Sequence, residues 1–235
     1  MSESIADPLG KEEELDPELV AYVDEDGPLG MCIKHPLVYS ICHHPMLNAR
    51  YNAVLKAKQK ALAKAEEEGK WSTYLWLHER PYRLFAFGEI QEELDEETYW
   101  QLLGEIWVDS ENIWQNEEEW KTYLDPADRN LREQFIMDED DQAMLDMLPD
   151  KIKVYRGFTV EGRENGLSWT TDSIRAKWFA RRFVVEDDER ARVAIGWVAK
   201  ADVIAHFNRR NESEIVVLPE DVKDMKVKEI SKEAL

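Results

Sequence analysis

Three short segments in the last third of the chain carry side chains that could act together: Val154-Tyr155-Arg156-Gly157, Gly166-Leu167-Ser168-Trp169-Thr170-Thr171 and Glu212-Ser213-Glu214-Ile215-Val216-Val217. A guanidinium presents paired donors that match phosphate oxygens, where an ammonium acts as a point charge. A fixed carboxylate stabilises the positive charge that develops on a sugar carbon as its glycosidic bond breaks. Glu212 and Glu214 stand two positions apart, so on a regular strand both would face the same side. Singly, each segment is weak, since a strand arginine usually makes a surface ion pair and alternating glutamates usually mark a solvated face.

The elements that must position these residues follow from the hydrophobic pattern. Short β-branched and aromatic runs at 154–155, 167–171, 193–198, 215–218 and 225–227 read as strands. One helix interrupts them, with Asp172 or Ser173 as N-cap and Ala176, Phe179, Ala180 and Phe183 on its buried face. The first 150 residues read as mainly helical. A long exposed helix is expected over 46–68, rich in Ala, Lys and Glu and stopped by Gly69. An aromatic-dense stretch over 71–87 is expected to pack on the core. Tyr99, Leu102, Leu103, Ile106 and Trp107 form the stripe of an amphipathic helix. Two more helices are expected, one over 116–124 ended by Pro126 and one over 141–148 ended by Pro149. The pattern predicts an α+β protein with a loosely ordered acidic lead-in over 1–29, a mainly helical region over 30–148 and a strand-rich core over 149–235.

In their order along the chain, the three segments resemble the Arg-Ser-Glu class of ADP-ribosyltransferases, in which an Arg strand, a Ser-Thr-Ser-like strand and a Glu-x-Glu strand converge on NAD+. The likeness covers roughly the last third of the chain and extends to the Ala- and Phe-rich helix over 176–183, as in bacterial and phage members. The segment Ile113-Trp114-Gln115-Asn116, followed by Pro149-Asp150 and the Arg156 strand, is also similar to phage or prophage proteins of this kind.

The resemblance implies a split β-sandwich core with the helical region packed on it, NAD+ as co-substrate and no metal. By the same resemblance, Glu214 would face the ribose and Arg156 the diphosphate, while Gly157 would let the backbone approach the nicotinamide amide. Ser168 would orient Glu214, with Thr170 or Thr171 supporting the strand and Trp169 or Trp178 stacking on nicotinamide. Glu212 holds the position that helps activate the acceptor in arginine-modifying relatives. The segment Ser168-Trp169-Thr170-Thr171 departs from Ser-Thr-Ser, and the interval from Arg156 to Ser168 is short for the class. The implied reaction is mono-ADP-ribosylation of a macromolecule, a protein and arguably its arginine ranking first. RNA or DNA comes second as acceptor, and simple NAD+ hydrolysis third.

Composition narrows the remaining classes. The 235-residue chain is 43% hydrophobic and 34% charged, which suits a globular protein. No apolar run approaches the ~18 residues a spanning helix needs, so no membrane role is expected. The acidic N-terminus has no basic leader or apolar h-region, which predicts a cytoplasmic address, the host's cytoplasm if the protein is phage-encoded. The formal net charge of −20 resides almost entirely in residues 1–150, where it repels nucleic-acid backbones. A non-enzymatic alternative uses that acid to mimic nucleic acid and occupy a nucleic-acid-binding protein. Arg175, Lys177, Arg181, Arg182, Arg190, Arg192, Arg209 and Arg210 form a basic stretch near the proposed site, read first as a solvated face neutralised by residues 186–189 and second as a contact for NAD+ phosphates or a negatively charged acceptor. Cys32, His35, Cys42, His43 and His44 invite a zinc reading but lack the second clean ligand pair of a finger. Buried, reduced cysteines with satisfied histidines are expected instead.

Overall fold

A computed structural model of the chain describes residues 13–27, 29–111, 113–125, 130–159, 163–182, 184, 190–209 and 211–230. They fall into two compact units, 1–94 and 95–235.

In the first unit, Asp16 caps helix α1 (Pro17–Val20) by accepting from the Glu18 amide, with proline at the first turn. Strands β1 (Val23–Gly27), β2 (Gly30–His35) and β3 (Val38–Ser40) follow in an antiparallel sheet of that order. Of the region expected to be a loosely ordered lead-in, 1–12 and 28 lie outside the described residues, and the rest carries α1 and β1. Leu19 is buried with Ile33, Leu37, Val38 and Leu55, and Val23 packs against them. Those partners lie later in the chain, so the local acidic composition gave no sign of the contact. Helix α2 (Asn48–Glu67) ends at Gly69, whose φ of 62° suits glycine. Helices α3 (Trp71–Leu77) and α4 (Arg83–Ile90) bury Tyr74, Leu75 and Phe87. Trp76 and Phe85 stay exposed, and Arg83 covers the Trp76 ring at 4.3 Å.

The Cys/His segment divides differently from expectation, with Cys32 buried and Cys42 exposed. His35 Nε2 lies 3.1 Å from Glu18 Oε1 and its Nδ1 accepts the Leu37 amide. His43 Nε2 meets Asn48 Oδ1 at 2.8 Å. Neighbouring carboxylate, backbone and amide groups thus engage these rings.

The second unit opens with α5 (Glu96–Asp109), capped by Asp95, which accepts the Thr98 amide at 2.8 Å. The expected stripe is buried, joined by Trp100. Helices α6 (Glu117–Leu124), α7 (Arg132–Phe135) and α8 (Glu139–Met147) precede β4 (Lys151–Phe158) and β5 (Ser168–Thr170). Then come α9 (Ser173–Arg182), β6 (Arg192–Ala199), β7 (Ala205–Phe207), β8 (Glu214–Val216) and β9 (Lys223–Glu229). Pro126, Phe183, residues 186–189 and Arg210 lie outside the described residues. The helical stretch expected as one block over 30–148 is divided at residue 94, and its later half belongs to the same unit as the strands. Strand β7 was not anticipated, being only three residues long and centred on His206.

The strands form one antiparallel sheet in the order β7-β8-β5-β4-β6-β9. The architecture is α+β. Strands β4 and β6 pair from Lys151↔Ala199 to Phe158↔Arg192, whereas among the described residues β4 and β5 share only Tyr155↔Thr170. The sheet is thereby pinched into two three-stranded halves, β7-β8-β5 and β4-β6-β9. Among the described residues no helix is long and apolar enough to cross a membrane.

Helix α9 packs on the β4-β6 half through Ala176 and Ala180, both fully buried against Val193, Tyr155 and Ile195. Asp172 Oδ1 caps it, accepting the Ile174 amide at 2.7 Å and the Arg175 amide at 3.3 Å. Close approach is possible because β4 presents Gly157 there. A Cβ at that position would lie 2.0 Å from the Ala176 carbonyl oxygen and 2.5 Å from the Ala180 nitrogen. Gly157→Ala is therefore expected to push α9 off the sheet and cost about 1–3 kcal/mol, read as a lower urea midpoint. An unchanged midpoint would show that α9 can shift freely.

Candidate functional site

The site is built around Ser168, on the strand where the two half-sheets meet. Its hydroxyl donates to Glu214 Oε1 at 2.5 Å. Its carbonyl accepts from Arg156 Nη1 at 2.6 Å, while Arg156 Nε donates to the Arg163 carbonyl at 3.2 Å. One residue thus links the arginine of β4 to the glutamate of β8. Gly166 lies flat on the guanidinium, since a Cβ there would come within 2.8 Å of Nη2. Arg163, in turn, stacks on Trp114 at 4.0 Å, which ties the 113–116 segment to the loop that holds Arg156. Burial pulls the Arg156 pKa below the ordinary arginine value, and Glu117 and Glu214 oppose that shift. A guanidinium stays charged under such a shift.

Glu214 and Glu212 open onto a single cleft with Trp107, Ser110, Glu111, Ser168, Phe179 and Phe207, rimmed by Arg182 and Arg209. Its enclosed volume is ≈ 160 Å³. That is below the roughly 300–1,000 Å³ of sites that enclose a whole small-molecule ligand. Three carboxylates and two guanidiniums thus line it together with aromatic rings, and Arg209 also pairs with Asp138 at 3.5 Å.

The two glutamates share the cleft for a reason other than strand pleat. Glu212 precedes β8, and Ser213 between them has a φ of 44°, with Asn211 at 53°. Such left-handed residues cost a non-glycine on the order of 1 kcal/mol and persist where neighbours fix them. Here the Glu212 carbonyl accepts Thr170 Oγ1 at 2.5 Å, and the Ser213 amide donates to Asn208 Oδ1 at 3.1 Å. The Ser213 carbonyl accepts the Thr171 amide, and the Asn211 carbonyl accepts Arg175 Nη2, each at 3.1 Å.

Two anticipated residues have structural roles instead. Trp169 points away from Ser168, is buried, and donates its indole N–H to the Gly166 carbonyl at 2.7 Å; it does not line the cleft. Alternation along β5 forces this, because neighbours of Ser168 must face the opposite side. Gly157 faces α9 rather than the cleft. Thr170 acts through its hold on the Glu212 carbonyl and through accepting the Asp172 amide at 3.0 Å. Trp178 is exposed, with Arg175 and Arg182 over its ring at 5.6 and 5.2 Å.

Sequence reasoning missed Glu111 and Phe207 and placed Phe179 in the core. Glu111 lies just past the end of α5 and carries no signal until α5 is folded against the strands. Phe207 pairs with Glu214 across β7 and β8. The apolar run before it was the one available clue.

Behind the cleft, α8 packs on β7. Asp141 Oδ1 accepts the Asn208 amide at 2.9 Å, and the His206 amide reaches Met137 Sδ at 3.1 Å. Asp141 and His206 are buried, and among the described residues Oδ2 and Nδ1 have no hydrogen-bond partner. Burial raises the Asp141 pKa and lowers that of His206, although each charge favours the other.

Comparison of the chain with protein-family models, with curated proteins and with solved structures finds no match in any of the three.

Replacing Arg156 by lysine keeps a charge but not a planar fork able to serve two carbonyls. Arg156→Lys is expected to cost roughly 1–3 kcal/mol, seen as a lower melting temperature without any ligand present. A second outcome concerns pH. Because folding holds His206 below its ordinary 6.5, the unfolded chain binds a proton first as pH falls through that value, and stability drops. Asp141, raised above 3.8, has the opposite sign: its stability contribution is lost as pH rises from that value through its folded pKa. His78 in the first unit shares the sign of His206. His206→Gln should therefore flatten, without abolishing, the fall in urea midpoint between about pH 7 and pH 5; an unaltered slope would eliminate His206 as a contributor.

Proposed function

We propose that this chain is a mono-ADP-ribosyltransferase that breaks the nicotinamide–ribose bond of NAD+ and passes ADP-ribose to a macromolecule, a protein ranking first. The observation that carries this reading is the link made by Ser168, which joins Arg156 to Glu214 at a cleft that Ser168, Glu212 and Glu214 line and Arg156 does not. The antiparallel sheet supports it by setting β4, β5 and β8 side by side, since the resemblance to the Arg-Ser-Glu class expects an Arg, a Ser and a Glu strand to converge.

In the proposed reaction the C–N bond breaks with its electron pair leaving on nicotinamide. Positive charge grows on the anomeric carbon, and the Glu214 carboxylate opposes it most strongly at the transition state. The acceptor's nucleophilic atom then bonds to that carbon from the other side, and its proton passes to Glu212. The Ser168 hydroxyl keeps Glu214 from rotating away. Arg156 has Nε and Nη1 engaged by carbonyls and Gly166 against Nη2, and it does not line the cleft, so its part in this reading is to hold the strand that carries Ser168. A cleft of ≈ 160 Å³ encloses one end of a dinucleotide, so the rest would lie along the surface toward Arg182 and Arg209.

One observation favours RNA or DNA as acceptor. Trp178, exposed and flanked by Arg175 and Arg182, sits on the helix whose Phe179 and Arg182 line the cleft, and aromatic–arginine surfaces suit stacked bases and phosphates.

Incubation with NAD+ labelled in its adenylate phosphate and a cell extract, followed by protease or nuclease digestion, separates the acceptor classes. Glu214→Gln is expected to lower incorporation by roughly 100-fold or more. Incorporation at the wild-type level in that variant would remove Glu214 from the chemistry.

A further inference from the structure

The Glu212 carbonyl and the Ser213 N–H belong to the same peptide plane, and each end has its own side-chain partner. Thr170 Oγ1 donates to the oxygen at 2.5 Å, and Asn208 Oδ1 accepts the N–H at 3.1 Å. Asn208 is itself fixed from behind. Its amide donates to the buried Asp141 carboxylate at 2.9 Å, and its carbonyl accepts the Asn211 amide at 2.8 Å, closing the turn between β7 and β8.

A peptide plane held at both ends sets ψ of the residue before it and φ of the residue after it. Those two angles aim the Glu212 side chain and keep Ser213 in its left-handed conformation at 44°. Glu214 depends on the clamp much less. It lies within β8, pairs with Thr170 and Phe207, and has its carboxylate held by Ser168. The two acids of the cleft are thus positioned by separate devices: Glu214 by strand pairing and a serine hydroxyl, Glu212 by the backbone of its turn.

We infer that Asn208 is a positioning residue that aims Glu212 at the acceptor, so that its loss uncouples transfer from cleavage of the nicotinamide bond. This rests on the transferase reading above. With the clamp opened, Glu214 still supports bond breakage and water replaces the acceptor as nucleophile. The product is then free ADP-ribose, with the water proton released to solvent.

The test uses the full chain, labelled NAD+ and the same cell extract, and counts nicotinamide released, free ADP-ribose and label in macromolecules. Native-state hydrogen exchange of the Ser213 amide is measured in parallel on the ligand-free protein. Asn208→Ala is expected to speed Ser213 exchange, lower macromolecular label about 10-fold or more, and leave nicotinamide release within about twofold. Asn208→Asp retains the accepting oxygen and should restore the ratio. An equal fall in release and transfer, or unchanged Ser213 exchange, would overturn the assignment. If Asn208→Ala does not fold, Thr170→Val removes the hydrogen bond at the other end of the same plane, and the ratio should fall in the same direction; an unaltered ratio overturns the clamp. A wild-type chain that releases no nicotinamide while Ser213 exchange still responds to Asn208→Ala rejects the transferase reading, and the catalytic part of this inference with it.

Discussion

The second unit turns on one residue of β5. Ser168 gives its hydroxyl to Glu214, and its carbonyl accepts from Arg156, across the place where Tyr155 and Thr170 are the one pair among the described residues that joins the two halves of the sheet. A partly buried guanidinium needs acceptors, and two backbone carbonyls supply them. The link that braces the pinch is therefore also the link that gathers the charged groups. A site placed on strands in this way is fixed more closely than one carried by loops alone.

Helices complete what the strands begin. The end of α5 brings Trp107, Ser110 and Glu111 to the cleft, and α9 contributes Phe179 and Arg182. Helix α8 stands behind, its buried Asp141 gripping the start of the turn that presents Glu212. Helices α5 to α8 thus belong to the same unit as the strands, and the end of α5 forms a wall of the cleft. Burying Asp141 beside His206, with one oxygen and one ring nitrogen that have no hydrogen-bond partner among the described residues, opposes folding. What stands against that cost is a turn whose left-handed residues are held in place.

The charge distribution fits this division of labour. A chain of net charge −20 concentrates its acid in the first 150 residues, yet the cleft balances Glu111, Glu212 and Glu214 against Arg182 and Arg209. Within a few ångströms, direction and hydrogen bonding outweigh a distant, screened excess. The overall charge is a poor guide to what this cleft holds.

Local pattern was sufficient for the stripe of α5, the span of α2 and its glycine stop, the core of β4 and β6, and the cap and alanine face of α9, because each is decided by neighbours within a few positions. The type and order of Arg156, Ser168 and Glu214 were likewise legible. Tertiary structure alone decided the rest. It packed Leu19 of α1 and Val23 of β1 against a core whose partners come later, and it made β7 a strand. It turned Trp169 into the interior and placed Gly157 beneath α9. It aimed Glu212 through a left-handed turn rather than a pleat, and it brought Glu111 in from a helix end. Each of these depends on groups far apart in the chain, where only the closing of the fold fixes which backbone donor, acceptor or apolar face meets which.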